Sequence, residues 1–245
     1  MSHAADPSHP RYKSLLARGK LEEAAEAGML AASALIAHGR GEAFDYLLGE
    51  ITTESAARAT KEAAARLAAA ERGIISFNGN TMALASDDLL RCAALAGADV
   101  EINIFYRTPE RMLALMSFLE DAKVRIRNST PQGINDDGWG KMVDRVRLLG
   151  ASPDGRIPGL EGPRANCHSD GMLAADVLLV PLEDGDRCEA LVAMGRDVIV
   201  IDLNPMSRSA QMATVTVVDE ISRFAENLFE ELKNPEVINH NWDNS

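Results

Sequence analysis

The chain has 245 residues, 46% hydrophobic but only 4% aromatic, with a formal charge of −12. That length buries enough surface to fold without a disulfide or metal staple, and the low aromatic content leaves the core to Ala, Leu, Ile, Val and Met. The acidic balance disfavours nucleic acid, whose phosphates are held by Lys and Arg, but does not exclude a small anion that meets a few local arginines.

Met1–Pro10 is polar and lacks the apolar region of a secretion signal, and the longest apolar stretch, Met29–Ala37, is too short to span a bilayer. Residues 11–33 set Leu15, Leu16, Leu21, Ala24 and Ala25 at helical spacing and predict the first helix. Ile36–Glu50 holds two close glycines followed by amphipathic sequence, and residues 53–72, rich in Ala with Arg and Glu, have strong helix composition. The pattern then changes to short β-branched runs: Ile74–Phe77, Val100–Phe105, Val177–Val180, Val198–Ile201 and Val215–Val218. Helical patterns at Ser86–Leu95, Pro109–Asp121 and Glu189–Met194 lie between several of them. This alternation predicts βαβ units and a mostly parallel sheet flanked by helices. The polar stretch 128–145 reads as a surface insertion, with Trp139 pinning it to the body, and the tail after Lys233 reads as frayed. The whole is read as one α/β domain over 1–245: an N-terminal helical part (9–72), a sheet part (73–232), the 128–145 insertion and a flexible tail (234–245).

Four polar groups follow directly on predicted strands. They are Asn78-Gly79-Asn80; Tyr106-Arg107 with Arg111; Glu183-Asp184-Gly185-Asp186-Arg187; and Asp202, Asn204, Ser207 and Arg208. In a parallel sheet the strand carboxyl ends share one edge, so these groups converge on one crevice, where open α/β sheets bind ligands. The Asn-Gly-Asn turn offers N–H groups to phosphate or carboxylate oxygens, or is simply a turn. The acidic loop suits ribose hydroxyls or a Mg²⁺ ion on a nucleotide phosphate; its plain alternative is an exposed helix N-terminus. Ser207 and Arg208 suit an anion, or form an N-cap with a surface arginine. No Gly-x-Gly-x-x-Gly follows a strand and no Walker A sequence occurs.

In His38-Gly39-Arg40-Gly41-Glu42 two glycines flank an arginine, so the backbone can approach a ligand while the guanidinium holds phosphate. His38 is a candidate general acid or base, although a histidine beside glycine is more often structural. Arg18, by itself, reads as solvated. Cys92, Cys167 and Cys188 contain no Cys-x-x-Cys and the five histidines show no zinc-type spacing, which fits a reducing cytoplasmic setting. Cys92 reads as core, and Cys167 beside His168 makes a weak nucleophile candidate.

The stretches HPRYKSL (His9–Leu15), LIAHGRGEAFDYLLGE (Leu35–Glu50), SFNGNTMAL (Ser76–Leu84), INIFYRTPER (Ile102–Arg111), RIPGLEGPR (Arg156–Arg164) and the long run Val180–Ala213 resemble archaeal 4-phosphopantoate–β-alanine ligases. The resemblance runs in order from about residue 9 to about residue 232. It implies a Rossmann-like fold, a homodimer, and use of ATP to join 4-phosphopantoate to β-alanine on the way to coenzyme A, giving AMP and pyrophosphate; Mg²⁺ is expected beside it as the ion on the triphosphate. It also implies nucleotide contacts from Arg18 and Arg40, from Asp184, Gly185 and Asp186, and from Asp202 and Leu203 with Asn204 beside them. Arg187, Ser207 and Arg208 extend that set. Asn78, Asn80, Arg107 or Arg111 would hold phosphopantoate, and Arg40, His38 and Glu183 are the catalytic candidates; no metal ligand is assigned. Between Val124 and Leu149 the chain departs from the family in being longer and more polar. Two rivals stand beside this reading. One is a nucleotide-dependent oxidoreductase or phosphotransferase, against which the missing fingerprints argue. The other is a non-catalytic sensor of a nucleotide or phosphorylated metabolite.

Overall fold

The computed structural model describes residues 6–182 and 184–244. It opens on three helices, α1 (Tyr12–Glu26), α2 (Ala32–Leu47) and α3 (Glu54–Ala69). The helix expected over 11–33 stops early because Gly28 turns left-handed (φ 73°), a conformation a β-carbon would strain, and the chain restarts at Ala32. The His38–Gly41 run, expected to give close backbone approach, lies inside α2 instead. The flanking helix formers outweigh a cost of about 1 kcal/mol per glycine.

The strands are β1 (Gly73–Phe77), β2 (Asp99–Ile102), β3 (Leu148–Leu149), the antiparallel pair β4 (Gly155–Arg156) and β5 (Asn166–Cys167), then β6 (Val177–Pro181), β7 (Asp197–Ile201) and β8 (Val215–Val217). Six of them form one sheet in the order β3-β2-β1-β6-β7-β8, with every neighbouring pair parallel. All five predicted strands are there, although β2 ends at Ile102 rather than Phe105. The order reverses between β1 and β6, the switch point of a doubly wound Rossmann-like sheet.

The remaining helices are α4 (Gly79–Ala96), α5 (Pro109–Arg127), α6 (Asp136–Arg145), α7 (Gly185–Ala193), α8 (Arg208–Met212) and α9 (Ile221–Leu232). α4 starts well before the expected Ser86 because Asn78 caps it, its Oδ1 accepting from the Thr81 N–H at 3.0 Å. Strand residues alternate between two cores. Ile75, Phe77, Leu179, Ile199 and Ile201 pack with α3, α4, α5 and α9, while Ile74, Leu178, Val180, Val198 and Val200 pack with α7.

The 128–145 segment is not merely a polar surface insertion. Half of it is α6, whose Trp139 is fully buried, donates from Nε1 to the Ile126 carbonyl at 2.7 Å and meets Phe229 edge-on. The tail expected to fray is tied back: Asn244 Nδ2 donates to the Ala213 carbonyl at 2.9 Å, Asn239 N–H donates to Glu62 at 3.0 Å, and Trp242 packs on the core.

Candidate functional site

Each sheet strand from β1 onward except β3 is followed by a helix that starts at the carboxyl edge: α4, α5, α7, α8 and α9. Their N-termini present N–H groups and positive dipole ends to one side of the molecule. An anion can therefore settle here despite the net charge.

Asn78 closes the switch point. Its Nδ2 donates to the Pro181 carbonyl at 2.9 Å while Oδ1 caps α4, so the side chain spans β1 and β6 and is spent on the fold. Asn80 is buried, with Nδ2 on the Ala34 carbonyl at 3.2 Å. Arg111, in the first turn of α5, donates to the carbonyls of Met29 (3.0 Å) and Tyr106 (3.1 Å). Its Nη2 stands 3.3 Å from where a β-carbon on Gly79 would be. Arg107 donates to the carbonyls of Gly150 and Ile102 at 2.5 and 2.6 Å, binding the end of β2 to the chain beyond β3. Burial lowers the pKa of both arginines.

The acidic loop is not a set of mutually repelling charges. Asp184 caps α7 and pairs with Arg164, whose guanidinium lies 5.2 Å from the Phe105 ring centroid. Asp186 pairs with Arg208, which also reaches Glu189. Gly185 is required by this arrangement, because a β-carbon there would come within 2.7 Å of Arg208 Cβ. Arg187 is buried and donates to the Arg164 carbonyl at 3.0 Å. Glu183 lies outside the described residues.

Next to this loop, Asp202 accepts from the Asn204 N–H (2.9 Å) and Ser207 Oγ (2.6 Å), and Ser207 caps α8 through the Ala210 N–H at 3.1 Å. Leu203 is buried and touches α2, its Cδ1 lying 3.5 Å from a β-carbon position on Gly41. The Asp202–Arg208 segment and the His38–Glu42 run, far apart in sequence, thus meet.

At this meeting point α1, α2, Leu182, Leu203 and the turn into α9 enclose a cavity of about 540 Å³. Arg18 reaches Glu42 from α1 (Nη2–Oε1 2.8 Å). Burial raises the Glu42 pKa, but hydrogen bonds from Ser14 and Arg18 outweigh it and hold the carboxyl below its usual range. Arg40 is exposed, and its side chain makes no ion pair or hydrogen bond among the described residues. His38 lines the cavity with a buried, unpartnered Nε2, and burial lowers its pKa.

Sequence reading missed Arg164, Glu101 and the Asp45–Arg223–Asp219 cluster. Arg164 ends the RIPGLEGPR run, which was its only signal. Glu101 is fully buried on β2 and accepts from the N–H groups of His168 (2.9 Å) and Met172 (2.7 Å). Burial raises its pKa against those bonds. Beside it the buried Cys167 thiol is pushed up to about 11, again by burial, which makes it a poor nucleophile. Arg223 donates to Asp45 (Nη2–Oδ1 2.5 Å) and to Asp219 (Nη2–Oδ1 2.8 Å), joining α2 to α9. Among the described residues no three His, Cys, Asp or Glu side chains are grouped to hold a metal, and no helix is long and apolar enough to cross a membrane.

Comparison with known proteins gives one consistent result. The profile of the phosphopantothenate/pantothenate synthetase family matches residues 55–242. The 4-phosphopantoate–β-alanine ligase of Thermococcus onnurineus is 49% identical over 216 residues, 88% of this chain and 75% of that protein. The ligase of the same name from Methanospirillum hungatei is 47% identical over 221 residues, 90% of this chain and 82% of that protein. That from Methanosarcina mazei is 43% identical over 220 residues, 90% of this chain and 78% of that protein.

Proposed function

The chain belongs to the phosphopantothenate/pantothenate synthetase family, and on that premise we propose that it is a 4-phosphopantoate–β-alanine ligase acting in coenzyme A biosynthesis. It condenses 4-phosphopantoate with β-alanine, consuming ATP and releasing AMP, pyrophosphate and 4′-phosphopantothenate. The observation that carries this reading is 49% identity to a ligase of that name over 88% of the chain.

A carboxylate is a poor acceptor for an amine and has to be activated. In our reading the pantoate carboxylate attacks the α-phosphorus of ATP, the bond to the β-phosphate breaks, and pyrophosphate leaves. The β-alanine amine, having given its extra proton to a base, then forms the C–N bond as the bond to AMP breaks. Charge builds on oxygen in both steps, so fixed cations and N–H donors supply most of the catalysis. We assign the phosphates to Arg18, Arg40 and Arg208. The rest of the nucleotide falls to the acidic loop (Asp184, Gly185, Asp186, Arg187) and to the segment of Asp202, Leu203, Asn204 and Ser207. For phosphopantoate, the side chains of Asn78 and Arg107 are largely committed to the fold, while Asn80 donates to the Ala34 carbonyl and keeps a buried Oδ1 without a partner. Arg111 and the N–H groups opening α4 are the groups we assign to it. Mg²⁺ fits this donor set as an ion held mainly by phosphates, with Asp184 or Asp186 within the same loop; bound there it would offset charge on the triphosphate. Glu183 and His38 are the candidates for the base.

We further propose a homodimer through α2 and the turn after it, where Ile36, Leu47 and Ile51 are 76%, 80% and 61% exposed, and a cytoplasmic setting. The mechanism is tested by incubating enzyme, ATP and phosphopantoate without β-alanine. Labelled pyrophosphate should exchange into ATP; its failure to do so under active conditions rules out a released-pyrophosphate adenylate.

A further inference from the structure

Glu101 is a buried carboxylate that the mechanism does not use. It stands on β2 between the apolar Val100 and Ile102 and has no exposed surface, so it acts only through its neighbours. Exchanging a buried charged group for well-packed apolar residues is often neutral or stabilising, so stability alone does not account for a carboxylate here.

Those neighbours belong to one segment. The crossover from β3 to β6, residues 150–176, has to pass β2 and β1, and it holds the β4–β5 pair and the short turn Pro163–Ala165 but no α-helix. With little regular bonding of its own, it is fixed by side chains from outside. Three charged ones fasten it. Arg107 donates to the Gly150 carbonyl, where the crossover starts, at 2.5 Å. The buried Arg187 donates from Nε to the Arg164 carbonyl, midway along, at 3.0 Å. Glu101 accepts from the N–H groups of His168 (2.9 Å) and Met172 (2.7 Å), where the chain turns back toward β6. Gly171 is required between them, because a β-carbon there would run into Glu101 Oε2. The three side chains also feel one another. Burial raises the Glu101 pKa while the Arg187 charge lowers it, and burial lowers the Arg107 pKa while the Glu101 charge raises it.

What this fastening places is Arg164. Its guanidinium pairs with Asp184, the cap of α7, and lies over the Phe105 ring. Arg187 is itself a member of the acidic loop, so the crossover and that loop share a side chain and cannot shift independently. We infer that Glu101 is a positioning residue for nucleotide use: with Arg107 and Arg187 it sets the crossover so that Arg164 holds Asp184, and with it the acidic loop, in the receiving geometry. The inference rests on the ligase reading above, which assigns that loop to the nucleotide.

The test measures kcat and the KM values for ATP and β-alanine in Glu101→Gln, Arg164→Ala and the double variant. Glu101→Gln keeps the size and leaves one of the two N–H groups without an acceptor. It should raise the KM for ATP about tenfold and leave that for β-alanine unchanged. Glu101→Asp, which restores the charge on a shorter side chain, should recover part of the loss. Arg164→Ala removes a side chain that is 41% exposed and should give the same rise. The double variant should rise no further than the larger single one, because both residues act on the same contact. A carboxylate that serves the fold alone would lower the amount of active enzyme, and so kcat, with every KM unchanged; that result overturns the inference. So does an unchanged KM for ATP in Arg164→Ala, which decides the matter even where Glu101→Gln fails to fold, and so do effects that multiply in the double variant. Failure of the ligase reading itself looks different: wild-type enzyme then forms no AMP with phosphopantoate and β-alanine.

Discussion

Asp45 is the one buried residue of α2, so this helix is fastened by charge rather than by apolar packing. Arg223, whose side chain is 15% exposed, bridges Asp45 at 7% and Asp219 at 0%. Burial lowers the Arg223 pKa, but the two carboxylates more than compensate and raise it overall. Replacing it by methionine keeps the aliphatic volume and leaves two buried carboxylates facing each other across α2 and α9. Removing one partner from a buried ion pair costs about 3–5 kcal/mol, because the charge left behind cannot reach water. In a protein of this size that corresponds to a fall in Tm of roughly 6–20 °C. The comparison variant is Lys61→Ala, which breaks the exposed, solvent-screened pair with Glu236 and should leave the unfolding midpoint unchanged. Both are measured by urea unfolding followed by circular dichroism. If Arg223→Met lies within 1 kcal/mol of wild type at unchanged m-value, the buried pair is not what holds α2, and this argument fails.

Trp139→Ala should cost about 3–5 kcal/mol in the same assay, since it empties a fully buried site and strands the Ile126 carbonyl. His38, with its pKa lowered on folding, binds a proton more readily in the unfolded chain. Its stabilisation is therefore present above the ordinary value of 6.5 and is lost as pH falls through that value toward the folded pKa. Unfolding free energies measured between neutral pH and pH 5 should fall less steeply in His38→Gln than in wild type; identical slopes would contradict the shift. Arg40→Ala, which removes no contact among the described residues, should leave stability unchanged and raise the KM for ATP at least tenfold. Unchanged kinetics would take Arg40 out of the site.

The sheet was legible because each major strand is a β-branched run short enough to be bounded by polar sequence, and the polar residues that follow these runs lie at the carboxyl edge. The helix starts were not. Gly79 read as a turn residue and Gly185 as part of an acidic loop whose alternative was a helix N-terminus; Asn78 and Asp184 cap helices that begin at these glycines. The same rule hid the state of the acidic loop: its partners Arg164 and Arg208 come from other segments, and no local spacing announces them. β3, β4 and β5 are two residues long and carry no periodic signal. α6 was masked by its composition, because Asp, Gly and Lys surround the single buried tryptophan that holds it. Glu101 was invisible for a different reason. Its partners are backbone N–H groups at His168 and Met172, which any residue type provides.

The most direct measurement of the central claim is an assay with ATP, Mg²⁺, 4-phosphopantoate and β-alanine in which AMP and 4′-phosphopantothenate are followed by mass. The account predicts equal amounts of both, each dependent on β-alanine. ADP in place of AMP would contradict the adenylate route while keeping the ligase, and a folded, ATP-binding protein that forms no amide would contradict the ligase itself and return the chain to the nucleotide- or metabolite-sensing alternative.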